Sequence, residues 1–174
     1  MKADTATARM IDQKELRRML NYDPATGVFT WLVKPNRNIR VGSVAGCFGK
    51  GSPGYCYIKI GGRDYLAHRL AWLYMTGEWP TEQIDHRDTD RLNNQWRNLR
   101  AANRSQNKAN GKRQINNTSG FKGVYWDARY RKFCARIRVN GKTIHLGYRI
   151  TAEEAHALYV AAALEHYGEF ARAA

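Results

Sequence analysis

The sequence predicts an α+β protein of two modules, the second a small three-stranded antiparallel sheet packed on one helix. Three observations lead to this. Short runs of alternating apolar and polar residues recur along the chain, bounded by Gly, Asn or Asp, as half-buried strands require. Two longer stretches have helical apolar spacing with end signals. Between them lies "GKRQINNTSG", Gly111–Gly120, polar, basic and rich in turn formers, and the pattern of elements changes across it. The expected organisation is one module over residues 1–110, a linker over 111–119 and a second module over 120–174.

The elements follow in order. "DQKELRRML", residues 12–20, reads as a short helix with Asp12 as its N-cap. "YDPATGVFTW" supplies turn residues and then a strand over Gly27–Trp31. Lys34–Arg40 is basic and irregular, and Gly42–Gly54 reads as turns. "YCYIKI" and "GGRDYLAH" form two strands joined at Gly61-Gly62. "HRLAWLYMTG" has helical spacing at Leu70, Leu73 and Tyr74 and stops at Gly77. Past the linker come strands at Phe121–Trp126, Phe133–Asn140 and Lys142–Tyr148. A final helix opens on the capping box Thr151-x-x-Glu154, carries the stripe Ala155, Leu158, Tyr159 and Ala162, and stops at Gly168.

Composition narrows the function. The chain has 174 residues, 43% hydrophobic and 11% aromatic, enough for a core. Its 29 Lys and Arg against 15 Asp and Glu give a net charge of +14. A charge of that size repels itself unless an anion binds, and nucleic acid is the usual partner. Cys47, Cys56 and Cys134 form no C-x-x-C pair and are odd in number, which argues against a zinc ribbon or a disulfide framework and for reduced thiols. "MKADTATARM" has no apolar signal core and no stretch is long enough to span a bilayer, so a soluble, cytoplasmic protein is expected.

In the second module Asn140-Gly141 signals a type I′ hairpin. A two-residue loop pairs Val139 with Lys142, Arg138 with Thr143, Ile137 with Ile144, Arg136 with His145 and Ala135 with Leu146. Ala135, Ile137, Ile144 and Leu146 then face the helix, and Arg136, Arg138, Thr143 and His145 face outward. With Arg129, Arg131 and Lys132 in the preceding loop they form a cationic platform suited to a DNA groove. A merely solvated basic face is the alternative. The stretch "GFKGVYWDARYRKFCARIRVNGKTIHLGYRITAEEAHALYVAAALEHYG", about fifty residues, resembles the APETALA2/ethylene-response-factor DNA-binding domain. The resemblance implies DNA contacts from the sheet at Lys122, Tyr125, Trp126, Arg136, Arg138, Thr143 and His145. Plant members usually carry arginine, glutamate and tryptophan where Tyr125, Arg136 and His145 stand, so no base preference carries over.

In the first module the segment "IDHRDTDRLNNQWRNLRAANRSQNKAN" holds six asparagines and one histidine, His86. A carboxylate directly before a histidine at the end of an apolar strand can divide two tasks. Asp85 can ligate a hard divalent cation, and His86 can take a proton from water near neutral pH. Phosphodiester hydrolysis needs both. "NLRAA" reads as a second strand and Asn103, with Gln106, as a helix cap, which places Asn107 in the first helical turn. Asn98 can tie the loop back toward His86. On the residues alone, capped polar turns and a catalytic site both stand.

The wider pattern, Tyr65–Asn110, resembles an HNH endonuclease of the phage homing type. It has "HRL", "DH", "NN" followed by "NLR", and an Asn, Asn107, nine residues after Asn98 of "NLR". The resemblance implies the ββα-metal (His-Me finger) fold, with His86 as general base, Asp85 and Asn107 as ligands of one magnesium or manganese ion, and Asn98 as a structural residue. It implies no structural zinc and products with 5′-phosphate and 3′-hydroxyl ends. Arg69 is a candidate phosphate contact, whereas His68 reads as a packed or capping residue. Asn93 and Asn94 read as turn residues. The basic stretches Lys34–Arg40 and Lys108–Arg113 would add phosphate contacts.

The expected function is a metal-dependent endonuclease acting on duplex DNA, as a monomer or weak dimer. The alternatives are a non-catalytic DNA-binding regulator on an inactive nuclease fold, and a binder of structured RNA.

Overall fold

The computed structural model describes residues 10–48 and 54–172. Residues 1–9 of the N-terminal stretch, 49–53 of the Gly42–Gly54 turn segment and 173–174 lie outside the described residues. The chain is α+β and divides into two compact units between Arg100 and Ala101.

The first unit begins with α1 (Gln13–Met19), where the Asp12 side chain accepts the Glu15 amide and Leu16 is fully buried. A strand absent from the expected elements, β1 (Leu20–Asp23), follows at once and pairs with β2 (Val28–Trp31), which pairs in turn with β3 (Val44–Ala45). The segment expected to form only turns, Gly42–Gly54, thus contains short strands at β3 and β4 (Cys47–Phe48). Two-residue strands carry too few alternating positions to show a period. The second sheet is β4, β5 (Cys56–Ile60) and β6 (Arg63–Leu66), with Gly61 and Gly62 both at positive φ in the β5–β6 turn.

Helix α2 (Ala67–Thr76) ends on Gly77 at φ 89, whose amide donates to the Leu73 carbonyl. This is the left-handed stop that glycine allows without strain. Leu16, Leu20, Phe29, Ile58, Leu70 and Leu73 form the floor of this unit's core, and Ile84 and Leu99 pack on the same cluster. Those two residues belong to β7 (Gln83–His86) and β8 (Leu99–Ala102), which form a two-stranded sheet; the division between the units falls within β8.

The second unit starts with the end of β8 and α3 (Arg104–Asn110). Asn103 and Gln106 close a full capping box there, as their spacing suggested. Ala102 and Ala109 are buried with Ile137, Tyr159, Tyr167 and Phe170. The sheet is β9 (Val124–Asp127), β10 (Lys132–Val139) and β11 (Lys142–Arg149), with β10 central. Asn140 and Gly141 both have positive φ, the backbone that a type I′ hairpin demands.

The register follows expectation from Val139–Lys142 to Arg136–His145 and then slips. Ala135 faces Gly147 in place of Leu146. Gly147, at φ 131, absorbs the extra residue of this bulge. Ile144, expected on the apolar face, is exposed on the edge strand. Helix α4 (Ala152–Tyr167) carries the Thr151–Glu154 capping box and buries Ala155, Tyr159, Ala162 and Ala163. Gly123 lets it come close, since a Cβ there would lie 2.0 Å from the Tyr159 ring. Among the described residues no helix is long and apolar enough to cross a membrane.

Candidate active site

Alternation along β7 sends Asp85 and His86 to opposite sides of the strand. Both are buried, at 5% and 4% exposure. On one side the Asp85 carboxylate meets Arg100 of β8. Nε and Nη2 of the guanidinium both lie 2.9 Å from Oδ2, and both side chains are 6% exposed. Sequence reasoning gave Arg100 no role.

On the other side His86 Nε2 lies 3.2 Å from Asn94 Oδ1. An amide oxygen has no proton to give, so Nε2 carries the hydrogen and Nδ1 keeps the lone pair. Asn94 is itself fixed: its amide nitrogen reaches Leu92 O and its backbone carbonyl accepts the Tyr22 hydroxyl at 2.7 Å. Gly27, in the β1–β2 turn, backs this point so tightly that a Cβ would come within 2.4 Å of the Asn94–Gln95 backbone. Asn94, read as a turn residue, is therefore a positioning residue for His86. Spacing could not show this, because residues 87–95 form an irregular loop that leads into a short 3-10 turn at Trp96–Asn98.

Asn98 holds that loop. Its side chain accepts the Asp88 amide at 3.1 Å and donates to Asp88 Oδ1 at 2.9 Å and Asn93 O at 2.7 Å. Its backbone carbonyl accepts the Arg87 amide at 2.9 Å. Three further side chains bound the histidine. His68 lies 5.1 Å from the His86 ring and edge-on to it, and Tyr55 lies 5.2 Å from His68 and 6.2 Å from His86. Arg91 stacks over Tyr55 at 4.8 Å. His68, the expected packing residue, is buried and packs directly against His86.

Burial sets the electrostatics. It pushes the His68 imidazole down to about 3, with smaller contributions in the same direction from His86 and Arg69. Burial also lowers His86, against an upward pull from the Asn94 hydrogen bond and from Asp88, Asp85 and Asp90. Below its usual range, His86 is a neutral base at neutral pH. Arg69, expected on a phosphate, donates to the Pro80 carbonyl at 3.2 Å and lies over the Trp79 ring. Asn107 lies in α3, in the second unit.

In the second unit Arg136, Arg138, Thr143 and His145 are exposed on the outer face of the sheet, with Arg136 stacked 4.6 Å over Tyr125. His145 and Tyr130 both pack at a tilt against Tyr148, and Arg129 lies 5.5 Å over Tyr130; Arg131 is exposed in the same turn at φ 51. Two expected contacts have other partners. The Lys122 ammonium donates to the carbonyls of Ala109, Gly111 and Arg172, and its half-burial pushes it down to about 8. It satisfies carbonyls at the end of α3 and does not reach outward. Trp126 is the strand neighbour of Tyr125 and so points to the opposite face, where it packs on Phe133.

No curated protein and no solved structure matches the chain. Residues 65–109 match a family model described as HNH endonuclease, a span that contains His68, Asp85, His86, Asn94, Asn98, Arg100 and Asn107. By that match the segment holding the buried Asp85-His86 pair is similar to a family of DNA nucleases.

Proposed function

We propose that the protein is a metal-dependent endonuclease of the phage mobile type that hydrolyses phosphodiester bonds in duplex DNA. The observation that carries this reading is His86: a buried imidazole at the end of β7 whose Nε2 is held 3.2 Å from Asn94 Oδ1 and which burial keeps neutral and basic. His86 accepts the proton of the attacking water. Asn94 fixes the tautomer, Asn98 holds the loop between the two strands, and His68 and Tyr55 keep bulk water from the imidazole. The exposed Arg87 and Arg91 meet the phosphate.

The donors fit a hard cation. Asp85 offers a carboxylate and Asn107 an amide oxygen, and these would hold one magnesium or manganese ion. Among the described residues no three His, Cys, Asp or Glu side chains cluster to hold a metal alone. Phosphate oxygens and water would complete the shell, as Mg²⁺ prefers. When bound, the ion supplies charge neutralisation on the scissile phosphate and the leaving oxygen. In this reading β7, the loop, β8 and α3 are a ββα-metal module and the functional nuclease runs to residue 110. The sheet of the second unit is an APETALA2-like DNA-docking surface.

Relaxation of supercoiled plasmid tests the proposal. The wild type should nick or cut it with Mg²⁺ and lose that activity in chelator. His86→Ala should cut at least about 10³-fold more slowly while still binding DNA. Equal behaviour of the two proteins would sink the enzyme reading. The alternative, a DNA-binding regulator on a dead nuclease fold, is favoured by one observation, the Arg100 guanidinium on Asp85 Oδ2. Divalent-metal titration of wild type against Asp85→Asn separates them, because a regulator needs no metal.

A further inference from the structure

Within the second unit, α3 and the chain following it form a wall beside the sheet. Between wall and sheet lies a groove of about 1260 Å³. Arg104, Lys108, Lys112 and Arg113 line it from the wall, and Arg136 and Arg138 from the hairpin; all six are exposed. Among the described residues, none that lines it is acidic. Six cations facing each other across one groove repel, and only an anion with many charges relieves all six together.

The wall is built in place. Ser105 Oγ lies 2.9 Å from the Tyr167 hydroxyl and accepts the Asn140 amide at 3.1 Å, tying the first turn of α3 to the hairpin tip. Lys122 clamps the other end of α3 through Gly111 O at 2.6 Å, and Ala109 is buried against the α4 side of the core. A groove already formed costs little ordering on binding. Polar, uncharged Gln114, Asn116 and Thr118 lie along the same wall, able to bond phosphate oxygens.

We propose that this groove holds the phosphodiester backbone of one strand of a DNA duplex, gripped by α3 and the linker on one side and by the hairpin on the other. The inference rests on the DNA-binding half of the proposed function. It makes α3, the helix that carries Asn107, a component of the docking surface itself, so the strand in the groove runs beside that helix.

The test uses the full chain with His86→Ala, without divalent cations, on a defined DNA duplex. Each phosphate neutralised contributes about 0.9 to the slope of log affinity against log salt. Arg104→Gln, Lys108→Gln, Lys112→Gln and Arg113→Gln together should lower that slope by about 3.6. Arg104→Lys with Arg113→Lys should leave it unchanged, since the charge remains. In phosphate-ethylation interference, the phosphates that become insensitive in the wall variant and in Arg136→Gln/Arg138→Gln should adjoin on one strand. An unchanged slope in the wall variant, or the two sets on opposite strands, overturns the groove, and an RNA duplex that outcompetes the DNA overturns its occupant. Binding here needs no hydrolysis, so a plasmid that stays uncut removes the nuclease reading and leaves the groove standing.

Discussion

In the first unit His68, Asp85, His86, Asn94, Asn98 and Arg100 are buried, and each is held by a neighbouring side chain. In the second, Arg136, Arg138, Thr143 and His145 stand exposed on a sheet. Buried polar groups lose their water and depend on fixed geometry, so removing one partner strands another. Exposed cations keep their water, act by number and are screened by salt. Single substitutions should therefore be severe and specific in the first unit, and graded and salt-dependent in the second.

Breaking the Asp85–Arg100 pair is the hardest test of that contrast. Arg100→Met leaves a buried carboxylate without its cation and should cost about 3–5 kcal/mol in urea unfolding. A loss no larger than a surface change gives would mean that water reaches Asp85. Next comes the pH dependence from His68. Its unfolded value is the ordinary 6.5 and its folded value about 3. Below pH 6.5 the unfolded chain takes a proton that the folded chain refuses. Stability should then fall by about 1.4 kcal/mol per pH unit as acidity rises toward pH 3. His68→Phe should flatten that section of the curve, read from Tm against pH.

Asn94→Ala should lower kcat about tenfold with DNA affinity unchanged, the worth of one hydrogen bond aligned on a reacting group. That bond pulls the His86 value upward, so its loss should also move the acid limb of the kcat/KM profile to lower pH. A limb that stays in place would leave Asn94 a loop residue only. The smallest effect belongs to the second unit. Arg136→Gln should weaken binding and reduce the salt slope by about 0.9, leaving unfolding unchanged. A loss of stability there would blur the distinction between the units.

Much of the fold was legible because the signals were local. Asp12, Asn103 and Thr151 act as caps, Gly77 ends α2, and Asn140-Gly141 makes its hairpin, each through neighbours within a few residues. Errors came where distance or packing decided. The bulge opposite Ala135 appears only in how β10 and β11 pair beyond Arg136, and β3 and β4 exist only through their partners. In the site, Asp85-His86 stood out as a motif, but Asn94 and Arg100 did not. Both act on residues eight and fifteen positions away, across a loop whose path no periodicity describes.

The sequence by itself determined the basic charge, the α+β pattern, the caps and turns, and the pair Asp85-His86, because these depend on residue type and on contacts within one turn or hairpin. The tertiary structure decided that Arg100 neutralises Asp85, that Asn94, braced by Tyr22 and Gly27, sets the tautomer of His86, and that Lys122 and Trp126 turn away from the cationic face. Those assignments depend on which distant side chains share a low-dielectric space, where a charge or a lone pair goes to whichever partner packing brings within hydrogen-bond reach.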